Sequence, residues 1–191
     1  MKKLISILGS TGSVGLTTLN IIDKDNKNFI PYLFSANKNY NFICKQIKKY
    51  KPKYFIINNV NIFLKVKKKF YKTRTKILNN FSSISLKRKS DITICAIPGI
   101  AGLKPTISLI NFSKKILIAN KESIICGWSL IKQKSIKSKT NIIPIDSEHF
   151  SIFNLIKNRE KNEINKIYLT ASGGPFLNYT QSELKKVKPK D

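Results

Sequence analysis

Acidic residues are scarce in this sequence, with 10 Asp and Glu set against 36 Lys and Arg for a formal net charge of +26. Arginine is scarce too, confined to Arg74, Arg88 and Arg159. Such a charge alone points to nucleic acid. Its make-up argues against that, because the cations are mostly lysines spread along the whole chain, and Arg is the residue suited to bidentate phosphate and base contacts. Lys, Asn and Ile share A/T-rich codons, so a biased genome accounts for the balance. A basic surface still attracts sugar phosphates and nucleotides.

Cysteine is sparse and unpatterned. Cys44, Cys95 and Cys126 form no CxxC pair and are odd in number, which excludes a disulfide framework or thiolate metal site. Reduced, buried thiols in a cytoplasmic protein are expected. His149 is the only histidine, and a lone His is not assigned to a metal. Long apolar runs are missing: none approaches the ~20 residues of a membrane span. The opening stretch to Leu8 is too short for a signal peptide and lacks a cleavage pattern. It reads as a first strand, with the fold expected to begin at Lys2 and no transit extension before it.

What is present is a globular balance, 41% hydrophobic and 24% charged over 191 residues, enough for one domain and part of a second. Strands are expected at Lys3–Leu8, Phe29–Ser35, Tyr54–Ile57, Asp91–Ala96, Lys115–Ala119 and Asn141–Ile145. Helices are expected at Val14–Ile22 (stripe Val14, Leu19, Ile22), Tyr40–Lys49 (stripe Phe42, Ile43, Ile47) and Val60–Tyr71, the last with a solvated Lys65–Lys69 face. This alternation predicts an α/β fold, a Rossmann-like doubly wound parallel sheet, over residues 1–146. The pattern changes near Asp146. Residues 147–191 are expected to start an incomplete α+β catalytic domain, with a helix over Ser147–Lys157, a strand over Lys166–Thr170 and a capping box at Thr180–Glu183 opening a last helix.

Five stretches carry chemistry. Gly9-Ser10-Thr11-Gly12-Ser13-Val14-Gly15 joins a strand to a helix N-terminus, where glycines admit a pyrophosphate and free N–H groups favour an anion. The alternative is a tight turn without a ligand. The end of the second strand offers Ser35, Asn37, Lys38 and Asn39, with no carboxylate for a ribose 2′-hydroxyl, which suits NADP(H) over NAD. Asn120-Lys121-Glu122-Ser123 follows a strand, where ligands sit in doubly wound sheets. Asn120 as an N-cap with Glu122 in the first turn is the competing reading. Asp146 and Glu148 would share one side of an extended chain and offer hard oxygens to Mg²⁺ or Mn²⁺; N-capping by Asp146 or Ser147 remains open. Lastly, Ser172-Gly173-Gly174-Pro175 offers a hydroxyl and backbone donors to a phosphate, or simply makes a turn.

In this order and spacing, the stretches Asn120–Ser123, Asp146–His149 and Ser172–Phe176 resemble the 1-deoxy-D-xylulose 5-phosphate reductoisomerases, over essentially the whole chain. The resemblance implies an NADPH-dependent enzyme of isoprenoid biosynthesis that yields 2-C-methyl-D-erythritol 4-phosphate. It implies that Thr11, Gly12, Ser13 and Val14 hold the NADPH pyrophosphate and that Asn37, Lys38 and Asn39 form the adenosine-phosphate loop, Asn37 standing where the family usually has Gly. Asn120 and Glu122 would lie on the NADPH side. Lys121 and Glu148 would be catalytic; Lys121, Ser147, Glu148 and Ser172 would contact the sugar phosphate; Asp146 and Glu148 would bind Mg²⁺ or Mn²⁺. Leu177 stands where the family often has Arg. The family's third metal ligand lies in an Asn-Lys-Gly-Leu-Glu segment outside these residues, so the chain is expected to be an incomplete enzyme that binds NADPH with little turnover. The resemblance also suggests a homodimer, while the composition and charge pattern leave no membrane and no specific nucleic acid expected as partners. Two other readings stand beside it: another NADP-dependent reductase with a GxxGxxG loop and a nucleophilic cysteine, and a basic nucleic-acid-binding protein.

Overall fold

The structure is a computed structural model that describes residues 2–82, 84–168 and 173–188. The chain divides into two compact units, Met1–Asp146 and Ser147–Asp191.

The first unit is built on seven parallel strands: β1 (Lys3–Leu8), β2 (Phe29–Ala36), β3 (Tyr54–Ile57), β4 (Lys76–Leu78), β5 (Ile92–Cys95), β6 (Lys115–Ile118) and β7 (Asn141–Pro144). Their order is β4-β3-β2-β1-β5-β6-β7. The chain winds outward from β1 to one edge, returns to the other side of β1, and winds outward again. Strand order therefore reverses between β1 and β5. Parallel neighbours need crossovers, and helices supply most of them: α1 (Ser13–Lys24), α2 (Tyr40–Tyr50), α3 (Val60–Lys69), α4 (Leu103–Ile110) and α5 (Lys121–Ser138).

The strands are apolar along their length because both faces of the sheet are covered. On one face Ile5, Ile7, Phe34, Phe55 and Ile57 pack with Leu19, Ile22, Ile43, Ile47 and Val66 from α1, α2 and α3. On the other Leu8, Leu33, Ile56, Ile116 and Ile118 pack with Leu109, Ile110 and Ile131 from α4 and α5. Fully buried side chains such as Phe34 and Phe55 contribute roughly 1.5–3 kcal/mol each. The β1–β2 ladder slips by one residue between Ile5 and Ser6, where Ile5 faces Pro31 and Ser6 faces Leu33. Proline has no N–H to give the ladder, so it sits where pairing is interrupted.

Most expected elements are present within a residue or two. β4, α4 and α5 lay outside the expected elements, α5 being touched only by the capping alternative at Asn120. β4 is a three-residue edge strand, too short for a period. α4 carries Pro105 in its first turn, a tolerated position whose N–H needs no helical partner. The face carrying Lys65, Lys67, Lys68 and Lys69 is exposed, as expected. Two stripes need correction: Val14 and Phe42 are 37% and 39% exposed, and the inward position on α2 belongs to Gln46, 3% exposed.

The second unit contains α6 (Ser147–Ile156), a 3₁₀ turn at Lys161–Glu163 and α7 (Gln181–Leu184). The capping box is present: the Thr180 side chain accepts from Glu183 N, while Glu183 accepts from Thr180 N. Lys166–Tyr168 do not form the expected strand; Leu169 and Thr170 lie outside the described residues. None of the unit's described residues is buried.

Candidate functional site

The reversal of strand order opens a crevice beyond the carboxyl ends of β1 and β5, the place where doubly wound sheets take ligands. The crevice holds about 370 Å³. Gly9, Thr11 and Gly12 form its floor, Ser35 and Asn37 come from the end of β2, and Asn58 from the end of β3. Ala96, Ile97 and Pro98 close the β5 side.

The glycines decide the shape of this floor. Gly9 has φ +83°, and a side chain there would meet the Ala96 carbonyl oxygen at 2.8 Å. A methyl group on Gly15 would lie 2.3 Å from the Gly9 oxygen. Only with both hydrogens can the first turn of α1 press onto the loop. Gly12 is the N-cap and provides no side-chain cap, and the first turn has no acidic residue. The leading N–H groups of α1 therefore lack helical partners, and the positive end of the helix dipole faces outward from them. By contrast α2, α3 and α5 are each capped by an Asn side chain: Asn39, Asn59 and Asn120.

Electrostatics around the crevice come from cations. Lys38 is exposed beside the β2 end, and among the described residues no acidic side chain lines the pocket. Asn37 is exposed. Asn39 is partly committed, since its Oδ1 accepts from Phe42 N at 3.2 Å. Asn120 is more so. Its Nδ2 donates to the Ile97 and Gly99 carbonyls at 2.5 and 2.8 Å, and its Oδ1 accepts from Ser123 N at 3.1 Å. The capping alternative for Asn120 is thus realised, with Glu122 in the first turn of α5. Lys121 and Glu122 are exposed at that helix start. Cys95, behind the crevice in β5, is fully buried, and burial pushes its thiol up to about 12 while a hydrogen bond with Thr106 opposes the shift. Such a thiol is not a nucleophile at neutral pH.

A sequence model described as 1-deoxy-D-xylulose 5-phosphate reductoisomerase covers residues 5–127. The chain belongs to that reductoisomerase family. A second model, for the C-terminal domain of 1-deoxy-D-xylulose 5-phosphate reductoisomerase, covers residues 142–191. The reductoisomerase of Pelagibacter ubique is 48% identical over 100% of this chain and 50% of its own length. That of Wolbachia pipientis wMel is 40% identical over 98% and 48%. The Zymomonas mobilis reductoisomerase, solved in complex with NADPH, superposes with a TM-score of 0.83 at 28% identity, covering 100% of this chain and 51% of that one. A reductoisomerase solved with NADPH, fosmidomycin and magnesium superposes at 0.80 with 27% identity, over 98% and 50%. The chain spans about half the length of the curated relatives it matches.

Of the site residues expected from sequence, the first unit brings Thr11, Gly12, Ser13, Val14, Asn37, Lys38, Asn39, Asn120, Lys121, Glu122 and Asp146 to the carboxyl edge of one sheet. Ser147 and Glu148 belong to the second unit as the opening residues of α6. The extended-chain argument for aligning Asp146 with Glu148 therefore fails, because β7 ends at Pro144 and Glu148 is helical. Among the described residues no group of three His, Cys, Asp or Glu side chains gathers as a metal site. Ser172 lies outside the described residues. The turn after it is present, with Leu177 N donating to the Gly174 carbonyl at 3.2 Å. Ser35, expected at the end of the second strand, lines the crevice. Sequence reasoning missed Asn58; the rule that ligands gather at strand carboxyl ends, applied to Tyr54–Ile57, would have found it. No helix of the described residues is long and apolar enough to cross a membrane.

Proposed function

We propose that this chain carries the NADPH-binding part and two metal ligands of a 1-deoxy-D-xylulose 5-phosphate reductoisomerase. The observation that carries the reading is the uncapped α1 N-terminus against a glycine floor, at the switch point of a sheet that superposes on the NADPH complex of the Zymomonas enzyme. Gly9 and Gly12 line the pocket with backbone and no side chain, so it fits a group that approaches backbone closely. Thr11, Gly12, Ser13 and Val14 hold the pyrophosphate. Asn37, Lys38 and Asn39 receive the 2′-phosphate, where a cation and amides replace the acid of NAD sites. Asn120 holds the loop that borders the nicotinamide side, and Glu122 stands next to it.

Asp146 and Glu148 are hard oxygen donors of the kind that Mg²⁺ and Mn²⁺ prefer. Bound there with NADPH, the ion supplies Lewis acidity and the nicotinamide a hydride. The substrate-contacting groups that the family resemblance assigns to this chain are Lys121, Ser147, Glu148 and Ser172, with Ser172 assigned to the phosphate. The substrate is 1-deoxy-D-xylulose 5-phosphate and the product 2-C-methyl-D-erythritol 4-phosphate, a step of isoprenoid biosynthesis. A homodimer and a cytoplasmic location belong to the same proposal, and sedimentation velocity tests the first.

Titration of the chain with NADPH and with NADH, read by nicotinamide fluorescence, tests the cofactor reading. NADPH is expected to bind more tightly, and Lys38→Glu to weaken NADPH by about tenfold while changing NADH little. Equal affinity for both cofactors in the wild type would end this reading. Mn²⁺ titration read by electron paramagnetic resonance, with Asp146→Asn and Glu148→Gln, tests the metal ligands in the same way.

A further inference from the structure

We infer that Gln46 is a positioning residue for the cofactor crevice: it locks the glycine turn in its anion-accepting form and ties that turn to the helix behind the Asn37–Asn39 loop. The inference rests on the reading of the Gly9–Gly15 crevice as an NADPH site.

Gln46 is polar yet 3% exposed, on the inward face of α2. Both ends of its amide engage one residue. Ser10 Oγ donates to Gln46 Oε1 at 2.6 Å, and Gln46 Nε2 donates to the Ser10 carbonyl at 2.8 Å. Ser10 is 0% exposed. Its N–H donates to the Ser35 carbonyl at 2.8 Å. The Gly9 N–H donates to the carbonyl and to the hydroxyl of Ser35, each at 3.1 Å. The turn is thus gripped by β2 through Ser35 and by α2 through Gln46.

The Gln46 grip has an electrostatic consequence. A carbonyl exposed in a phosphate-binding turn repels the anion, whereas a buried carbonyl left without a donor is destabilising. Gln46 gives the Ser10 carbonyl an interior partner and so removes it from the crevice. The same side chain lies about two helical turns along from Asn39, the cap of α2. One amide therefore sets both the pyrophosphate turn and the helix that presents the 2′-phosphate loop.

NADPH titration of the full 191-residue chain, with thermal melts of each variant, tests this. Gln46→Leu is expected to weaken NADPH at least about tenfold. Ser10→Ala keeps the backbone bond and is expected to lose about threefold, and the double variant to match Gln46→Leu because the two act as one unit. Thr140→Val is the control: Thr140 is buried and donates to the Ile110 and Ser113 carbonyls at 2.8 Å, beside the amino end of β7. It is expected to lower the melting temperature and leave NADPH affinity unchanged. Gln46→Leu binding NADPH like the wild type overturns the inference, as does a loss of affinity in Thr140→Val that matches its loss of stability. If Gln46→Leu does not fold, Ser10→Ala decides, and wild-type affinity there overturns the inference. A wild-type chain that fails to bind NADPH overturns the cofactor reading and this inference together.

Discussion

The side-chain Nδ2–H of Asn120 donates to the Gly99 carbonyl at 2.8 Å, joining the start of α5 to the loop that follows β5. The same nitrogen serves Ile97, while the amide oxygen caps the helix at Ser123. Aspartate is a good N-cap, so capping alone would make Asn120→Asp silent. The two carbonyls give the opposite result. A carboxylate would face both of them without a donor. Asn120→Asp is expected to destabilise by about 1–3 kcal/mol, at least as much as Asn120→Ala. Urea unfolding measures this, and an Asp variant as stable as the wild type would show that the loop contacts carry no weight.

The glycine floor makes a second prediction. Gly15→Ala places a methyl group 2.3 Å from the Gly9 oxygen and 2.7 Å from Ser10 Cα. Both are backbone atoms that cannot swing aside. The expected cost is about 1–3 kcal/mol of stability, with loss of NADPH binding as α1 is pushed off the loop. Calorimetric melts and the fluorescence titration read the two effects separately.

Asp91 links three strands at the amino end of the sheet. Its Oδ2 accepts from Leu4 N at 2.8 Å and its Oδ1 lies 2.7 Å from Lys114 Nζ. The Lys114 ammonium holds the carboxyl below the usual carboxylate range, burial opposes this, and the Leu4 N–H adds to the lowering. A depressed folded pKa means stability that is complete above the unfolded value and lost as pH falls through the folded one. Lys114 is largely solvated, so Asp91→Asn is expected to cost about 1 kcal/mol or less at pH 7. The gap from the wild type should begin to close only below about pH 4. A gap independent of pH would rule out the ionised pair as its source.

Thiol chemistry separates this family from a reductase with a nucleophilic cysteine. Cys44 and Cys95 are buried and Cys126 is exposed on α5. Iodoacetamide is expected to label Cys126 in the folded chain and the other two only after unfolding. NADPH affinity should survive that labelling. Rapid modification of Cys95 in the native chain, seen by peptide mass analysis, would contradict its burial.

Much of the architecture was readable before any coordinates. Apolar runs such as Tyr54–Ile57 announce strands covered on both faces, and the Gly9–Gly15 spacing announces a strand-to-helix turn that admits an anion. The unseen parts share a cause. The inward-facing polar side chain of Gln46 contradicts the apolar stripe of α2, and only its pairing with Ser10 explains it. Nothing local marks Asn120 as a clamp on Ile97 and Gly99, residues more than twenty positions away. The strand period applied to Asp146 and Glu148 failed because α6 begins between them.

Periodicity and glycine placement, properties of neighbouring residues, were enough to specify the alternating elements, the parallel sheet and the position of its phosphate turn. Long-range pairing settled the rest: which strand lies beside β1, where the crevice opens, and which buried amides hold its walls. Hydrogen bonds between distant segments form only once the chain has closed on itself, so their partners are set by topology and leave no mark in the local pattern.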